Sequence, residues 1–303
     1  MMHTRTGSSL RSYPDALLPK IVVIGVQKAA TSWLYSMLKD HPDCWVPPFK
    51  EIHYFDFNFG TIEAPWIESS VSRSILRSID GTLFGKGGSL APSQVKYFNR
   101  ILDAPFGSLE WYRAIYAGNS NSKFGCDVTP SYYQIDEAGI RQALSILPDA
   151  RFVGVVRSPV ERALSHLKMK IGRRKSVPVS DSAWLSLALS SDIISASLYS
   201  EHLTRWLSFC PDDRLLLVDY TDLLNAPLQV MRQIEAHAGL GQANYPRLSH
   251  RVHASNDVAL PNWIVDLYRH VLEREEAFTA DLLVKTSQNR IQASAELSQC
   301  KDV

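Results

Sequence analysis

The chain has 303 residues, enough to bury a sizeable core as one α/β domain or as two small ones. Its 45% hydrophobic and 21% charged residues are the shares of an ordinary globular protein and exclude wholesale disorder. A net charge of +1 excludes a general pull towards DNA, RNA or acidic membranes, so any anion site has to be a local arrangement of basic groups.

Residues 1–19 are polar, end in Pro19 and read as a flexible arm. Residues 20–25 (KIVVIG) form a β-branched run stopping at glycine, the pattern of a buried parallel strand. Trp33, Leu34, Met37 and Leu38 then share one face of a helix over 31–40, closed by Pro42. The stretch 51–116 is rich in aromatics, Gly, Ser and Pro, has weak periodicity and reads as an insertion, with a mobile loop at 81–93. Regular order returns with a strand at 123–128, a helix at 137–147 and a strand at 151–156 (RFVGVV). A helix starting at Pro159 follows, then an amphipathic segment at 198–209 and a strand at 214–218. Helices are expected at 227–238, capped by Gly239, and at 263–278. Strands separated by helices imply an α/β fold with a mainly parallel central sheet flanked by helices on both faces.

Cys44, Cys126, Cys210 and Cys300 lie far apart, with no CxxC and no paired His spacing. That argues against a structural zinc site and against a disulfide-dense secreted domain. The first twenty residues contain no apolar run of signal or membrane length, so a cytoplasmic location without a membrane span is the expectation.

The loop from Gly25 to Trp33 (GVQKAATSW) joins the first strand to its helix. A helix N-terminus offers free N–H groups and partial positive charge to a phosphate. Lys28 adds a full charge, and Thr31 and Ser32 add hydroxyls. A nucleoside triphosphatase loop, GxxxxGK[ST], would need glycine at Ala30 and lysine at Thr31, so this is not a Walker loop. A second anion site is suggested where Arg157 follows RFVGVV, at a strand's carboxyl end, with Ser165 about two helical turns along. Arg157 also suits a surface ion pair with Glu161.

Two anion sites on two βα units fit a nucleotide with two separated anionic groups. GVQKAATSW resembles the 5′-phosphosulfate loop of sulfotransferases that use 3′-phosphoadenylyl sulfate (PAPS), and VVRSPVERALS resembles their 3′-phosphate motif. HPDCWVPPFKEIHYFD (41–56), DVTPSYY (127–133) and the unit at 197–227 are similar to segments of the heparan-sulfate (carbohydrate) branch, where a lysine–glutamate pair precedes an aromatic cluster. That branch usually carries a lysine where Val128 stands, and residues 57–116 match nothing in it.

The resemblance implies a P-loop-containing fold, with residues 20–303 a single sulfotransferase domain whose insertion at about 57–116 shapes the acceptor site. It implies PAPS as donor, PAP as product and no metal. The donor would be bound by Gly25, Lys28, Ala29, Ala30, Thr31, Ser32, Trp33, Arg157 and Ser165, with a closing loop near 251–262. Trp33 has two readings, an adenine stack or a core residue. Lys28 is the candidate to neutralise the leaving phosphate. Glu51 is the candidate base, and His53 either replaces it or orients the acceptor. Five cations between Lys168 and Lys175 suit an anionic acceptor if they face the cleft, and a solvated helix end otherwise.

The expected function is therefore sulfuryl transfer from PAPS to a hydroxyl or amine of a carbohydrate, lipid or secondary-metabolite acceptor. The alternatives are a P-loop nucleotide kinase, with Asp219 as its Mg²⁺-binding aspartate, and a non-catalytic nucleotide-binding protein. Oligomeric state is not legible.

Overall fold

The structure, a computed structural model, describes residues 18–60, 63–83, 89–119, 123–174, 177–249 and 258–299. Among these residues one sheet holds β1 (Ile21–Gly25), β2 (Cys44–Trp45), β3 (Phe124–Val128), β4 (Arg151–Val156) and β5 (Leu215–Asp219), in the order β2-β3-β1-β4-β5. All neighbours pair in parallel, with Ile21 opposite Cys126 on one side and Arg151 on the other. The first four residues of β1 are β-branched and all five are buried, as a strand covered on both faces requires. The four strands expected from sequence are present; β2, two residues long, was not foreseen.

The helices are α1 (Thr31–Asp40), α2 (Tyr54–Phe59), α3 (Ala64–Leu83), α4 (Pro92–Asp103), α5 (Leu109–Tyr116), α6 (Glu137–Ile146) and α7 (Pro159–Arg174). They continue with α8 (Asp181–Ala188), α9 (Ser191–Ser195), α10 (Tyr199–Phe209), α11 (Tyr220–Asn225), α12 (Pro227–Ala238), α13 (Asn262–Val271) and α14 (Glu273–Gln299). From β1 the chain moves to one side of the sheet through β2 and β3, then crosses to β4 and β5 on the other. With right-handed crossovers, that reversal puts helices on both faces and opens a crevice at the carboxyl ends of the central strands.

Local chemistry fixes the ends. The Asp136 carboxylate accepts the Gly139 N–H at 2.7 Å, a cap that contributes about 1 kcal/mol to α6. Gly239 closes α12 with φ 68°, the left-handed conformation that glycine adopts without strain.

Two expectations are corrected. The described residues of 51–116 are mainly helical, in α2 to α5, despite the weak periodicity: in α3, Ile67, Val71 and Ile75 are all buried four residues apart, a stripe hidden among Ser, Arg and Gly. The single helix expected at 263–278 is two, α13 and α14, broken at the fully buried Leu272, whose ψ of 14° turns the chain. Most of the arm at 1–19, the middle of the loop expected at 81–93, and 251–257 of the closing loop lie outside the described residues.

The main core surrounds the sheet, and a second apolar cluster joins Ala163, Leu167 and Ile171 of α7 to Trp184, Leu187, Ile264 and Tyr268 of α8 and α13. Among the described residues no helix is long and apolar enough to cross a membrane. Cys44, Cys126 and Cys210 are free and buried, and Cys300 lies outside the described residues.

Candidate functional site

The site begins where β1 ends. A Cβ on Gly25, at φ 149°, would lie 2.5 Å from the Pro130 carbonyl oxygen, so only glycine lets this loop pack on the turn after β3. Lys28 and Ala30 are both left-handed, with φ 72° and 57°. Non-glycine residues seldom adopt this conformation, and it clusters at functional sites. Ala30, the α1 N-cap, supplies no side-chain cap, and the first turn holds no acidic residue. The amide end of α1 is thus left to an outside anion.

Basic groups converge there. Lys50 Nζ donates to Ser32 Oγ at 3.0 Å and Thr31 Oγ1 at 3.3 Å, and lies 3.4 Å from Glu51 Oε1. Arg157 NH1 donates to the Lys28 carbonyl at 3.0 Å, while its Nε donates to Glu161 at 3.1 Å and its plane covers the Tyr220 ring. Burial first, then the charges of Arg173, Arg157 and Arg162, push the Lys28 pKa below the usual lysine value, with Glu51 opposing. Cations held this close together favour an anion between them. Ser165, 8% exposed, lies on the adjoining α7. The N-terminus of α7 is already taken: Glu276 of α14 accepts Ser158 Oγ at 2.5 Å and the Val160 N–H at 2.9 Å.

Beside these cations stands an acid–imidazole array. His53 is 3% exposed; its Nδ1 lies 2.6 Å from Asp56 Oδ2 and its Nε2 lies 3.6 Å from Glu51 Oε2. Ser131, from the turn after β3, donates to Asp56 Oδ2 at 2.5 Å. Burial lowers the His53 pKa, but Asp56 and Glu51 outweigh it and lift the value to about 10. His53 is an imidazolium between two carboxylates. Burial raises the Glu51 pKa, but the adjoining His53 and the Lys50 charge bring it down to about 2. The Glu51 side chain is 40% exposed while that of His53 is 4% exposed, so Glu51 is the member of the array that meets the cleft.

The structure therefore brings Lys28, Thr31, Ser32, Glu51, His53 and Arg157 together. Trp33 takes the core position, 6% exposed, with its indole N–H donated to the Leu248 carbonyl at 3.0 Å. Lys50, Asp56 and Ser131 were missed. Nothing local announces that Lys50 reaches the hydroxyls of α1 or that Ser131 meets Asp56. Val128 is buried, 4% exposed. In the basic run, Lys170 is paired with Asp192 at 2.6 Å, Arg173 and Arg174 are exposed, and Lys175 lies outside the described residues. Asp219 caps α11 by accepting the Thr221 N–H at 2.8 Å, on a strand separated from β1 by β4; both features count against a Mg²⁺ role beside the β1 loop.

The model of the sulfotransferase family matches residues 19–244. The chain belongs to the sulfotransferase family. It is 25% identical over 229 residues to human heparan sulfate glucosamine 3-O-sulfotransferase 3B1, covering 74% of this chain and 46% of that protein. Mouse heparan sulfate glucosamine 3-O-sulfotransferase 6 is 23% identical over 247 residues, covering 78% and 55%. The chain thus spans about half the length of the curated relatives it matches. Among solved structures, a sulfotransferase from Alicyclobacillus acidocaldarius superposes with a TM-score of 0.56 at 19% identity, covering 86% of this chain and 96% of that one. The sulfotransferase domain of the Synechococcus PCC 7002 olefin synthase gives 0.54 at 18%, covering 90% and 98%. These two likenesses confirm the fold.

Proposed function

We propose that this enzyme transfers a sulfuryl group from PAPS to a hydroxyl or amine of a carbohydrate, lipid or secondary-metabolite acceptor, releasing PAP. One observation carries the reading: Lys50 touches both the hydroxyls that open α1 and the Glu51 carboxylate, so an anion site and a base adjoin. PAPS fits the chain's groups. Its 5′-phosphosulfate suits Lys28, Lys50 and the uncapped amides of α1, and its 3′-phosphate suits Arg157 and Ser165.

Glu51 takes the proton of the acceptor hydroxyl or amine as the acceptor's oxygen or nitrogen bonds to sulfur. The bond from sulfur to the phosphate oxygen breaks, and Lys28 and Lys50 meet the charge that collects on that oxygen. A carboxylate with a pKa near 2 is a weak base. Donor binding corrects this, because phosphosulfate charge at Lys28 and Lys50 offsets the cations that stabilise ionised Glu51. His53, both nitrogens facing carboxylates, orients Glu51 rather than acting as the base.

The acceptor lies on the α3 side of Glu51. Trp66 of α3 is 45% exposed, with its ring 6.0 Å from that of His53 and at 87° to it. An exposed indole beside the reacting group gives an acceptor ring a flat apolar face. Sulfuryl transfer from PAPS to a panel of glycans, phenols and lipids tests the proposal. Metal-independent transfer supports it, magnesium-dependent ATP turnover would point to a kinase, and PAP binding without transfer to a non-catalytic protein.

A further inference from the structure

Asp127, at the carboxyl end of β3, is fully buried and receives three hydroxyls. Thr129 Oγ1 donates to its Oδ1 at 2.7 Å, and Tyr112 and Tyr132 donate to its Oδ2 at 2.9 and 3.0 Å. Two of these hydroxyls accept in turn from the segment that carries the base. The Ile52 N–H donates to Thr129 Oγ1 at 3.0 Å, and the Tyr54 N–H donates to Tyr132 OH at 2.9 Å.

The residues alternating with those anchored amides are Glu51 and His53, and both are left-handed, with φ 65° and 58°. Non-glycine side chains are rarely held this way, and such a backbone persists only where its surroundings over-determine it. A hydroxyl has one proton. When Asp127 takes it, the oxygen is left with lone pairs for the backbone amide. Only a carboxylate accepts on both oxygens. An asparagine presents an N–H₂ on one side and reverses the sense of the hydroxyls it faces.

We propose that Asp127 is a positioning residue for the reaction: through Thr129 and Tyr132 it fixes the amides of Ile52 and Tyr54, and so the unusual backbone that turns Glu51 to the cleft and His53 to Asp56. It touches neither the acceptor nor Glu51. The proposal rests on the assignment of Glu51 as base.

The test is a set of double-mutant cycles. Asp127→Asn, Thr129→Val and Tyr132→Phe are each made in the wild type and in Glu51→Gln, with kcat, KM, PAP affinity by calorimetry and melting temperature measured throughout. In the wild-type background kcat is expected to fall about tenfold or more, with acceptor KM and PAP affinity within about twofold. In the Glu51→Gln background the same substitutions are expected to cost almost nothing further, because the group they position has already lost its function. If Asp127→Asn does not fold, the Thr129 and Tyr132 cycles decide. Unchanged kcat in folded variants, or an equal loss in both backgrounds, overturns the positioning role and leaves the base assignment standing. Wild-type turnover in Glu51→Gln alone removes the base assignment and this proposal with it.

Discussion

The guanidinium of Arg157 donates to the main-chain oxygen of Lys28 at 3.0 Å, so the turn after β4 and the turn after β1 are in direct contact although 129 residues separate them. A nucleotide with two anionic groups can then span both. Lys28→Ala and Arg157→Ala are each expected to lower sulfuryl transfer by about 100-fold or more. Melting temperature should stay within a few degrees, because neither side chain belongs to the apolar core. Wild-type turnover in either variant contradicts its role.

Glu51→Gln keeps the shape of the side chain and removes its basicity. A positioned base contributes about 10²–10⁴-fold, and kcat should fall by that range. PAP affinity should change by less than threefold, since Lys28 and Lys50 remain. Steady-state kinetics with calorimetry separates the two. An unchanged kcat returns the base role to His53.

His53 makes stability depend on pH. Burial alone would lower its pKa, but Asp56 and Glu51 raise it from 6.5 to about 10 in the folded protein. A raised folded value stabilises fully below pH 6.5, and that stabilisation is lost as pH climbs through 10. The wild type should therefore lose several degrees of melting temperature between pH 7 and 10, and His53→Gln should lose less over the same window. Burial lowers the pKa values of Lys28 and Lys50, and both lysines are present in both proteins. Asp127 acts elsewhere: burial pushes it up to about 6, so its ionisation between about pH 4 and 6 costs stability as pH rises. Parallel melting curves for the two proteins would contradict the imidazolium state.

Trp66 tests the acceptor side. Trp66→Ala is expected to raise acceptor KM about tenfold, with PAP affinity unchanged, because the exposed indole lies beside His53, on the side assigned to the acceptor. A loss of PAP affinity with acceptor KM unmoved would place Trp66 in the donor site instead.

What the sequence revealed follows from how locally each feature is encoded. β1 and β4 are short runs of almost purely apolar residues, so burial on two faces was legible from composition alone. Arg157 was legible because it directly follows β4, and Lys28 because it lies in the short loop between β1 and α1. Lys50 was not, since its contact with Ser32 crosses 18 residues and depends on how the chain returns past β2. The pairing of Asp56 with Ser131 crosses 75 residues and exists only once the turn after β3 packs beside the 51–56 segment. Within 57–116, α3 escaped because its buried stripe is one residue wide: Ile67, Val71 and Ile75 with polar neighbours between them carry little periodic signal.

A crystal structure with 3′,5′-adenosine bisphosphate bound is the most direct test. The 5′-phosphate is expected against Lys28, Lys50 and the first amides of α1, with the 3′-phosphate held by Arg157 and Ser165. A nucleotide seated elsewhere, or gripped at only one of the two turns, would contradict the assignment.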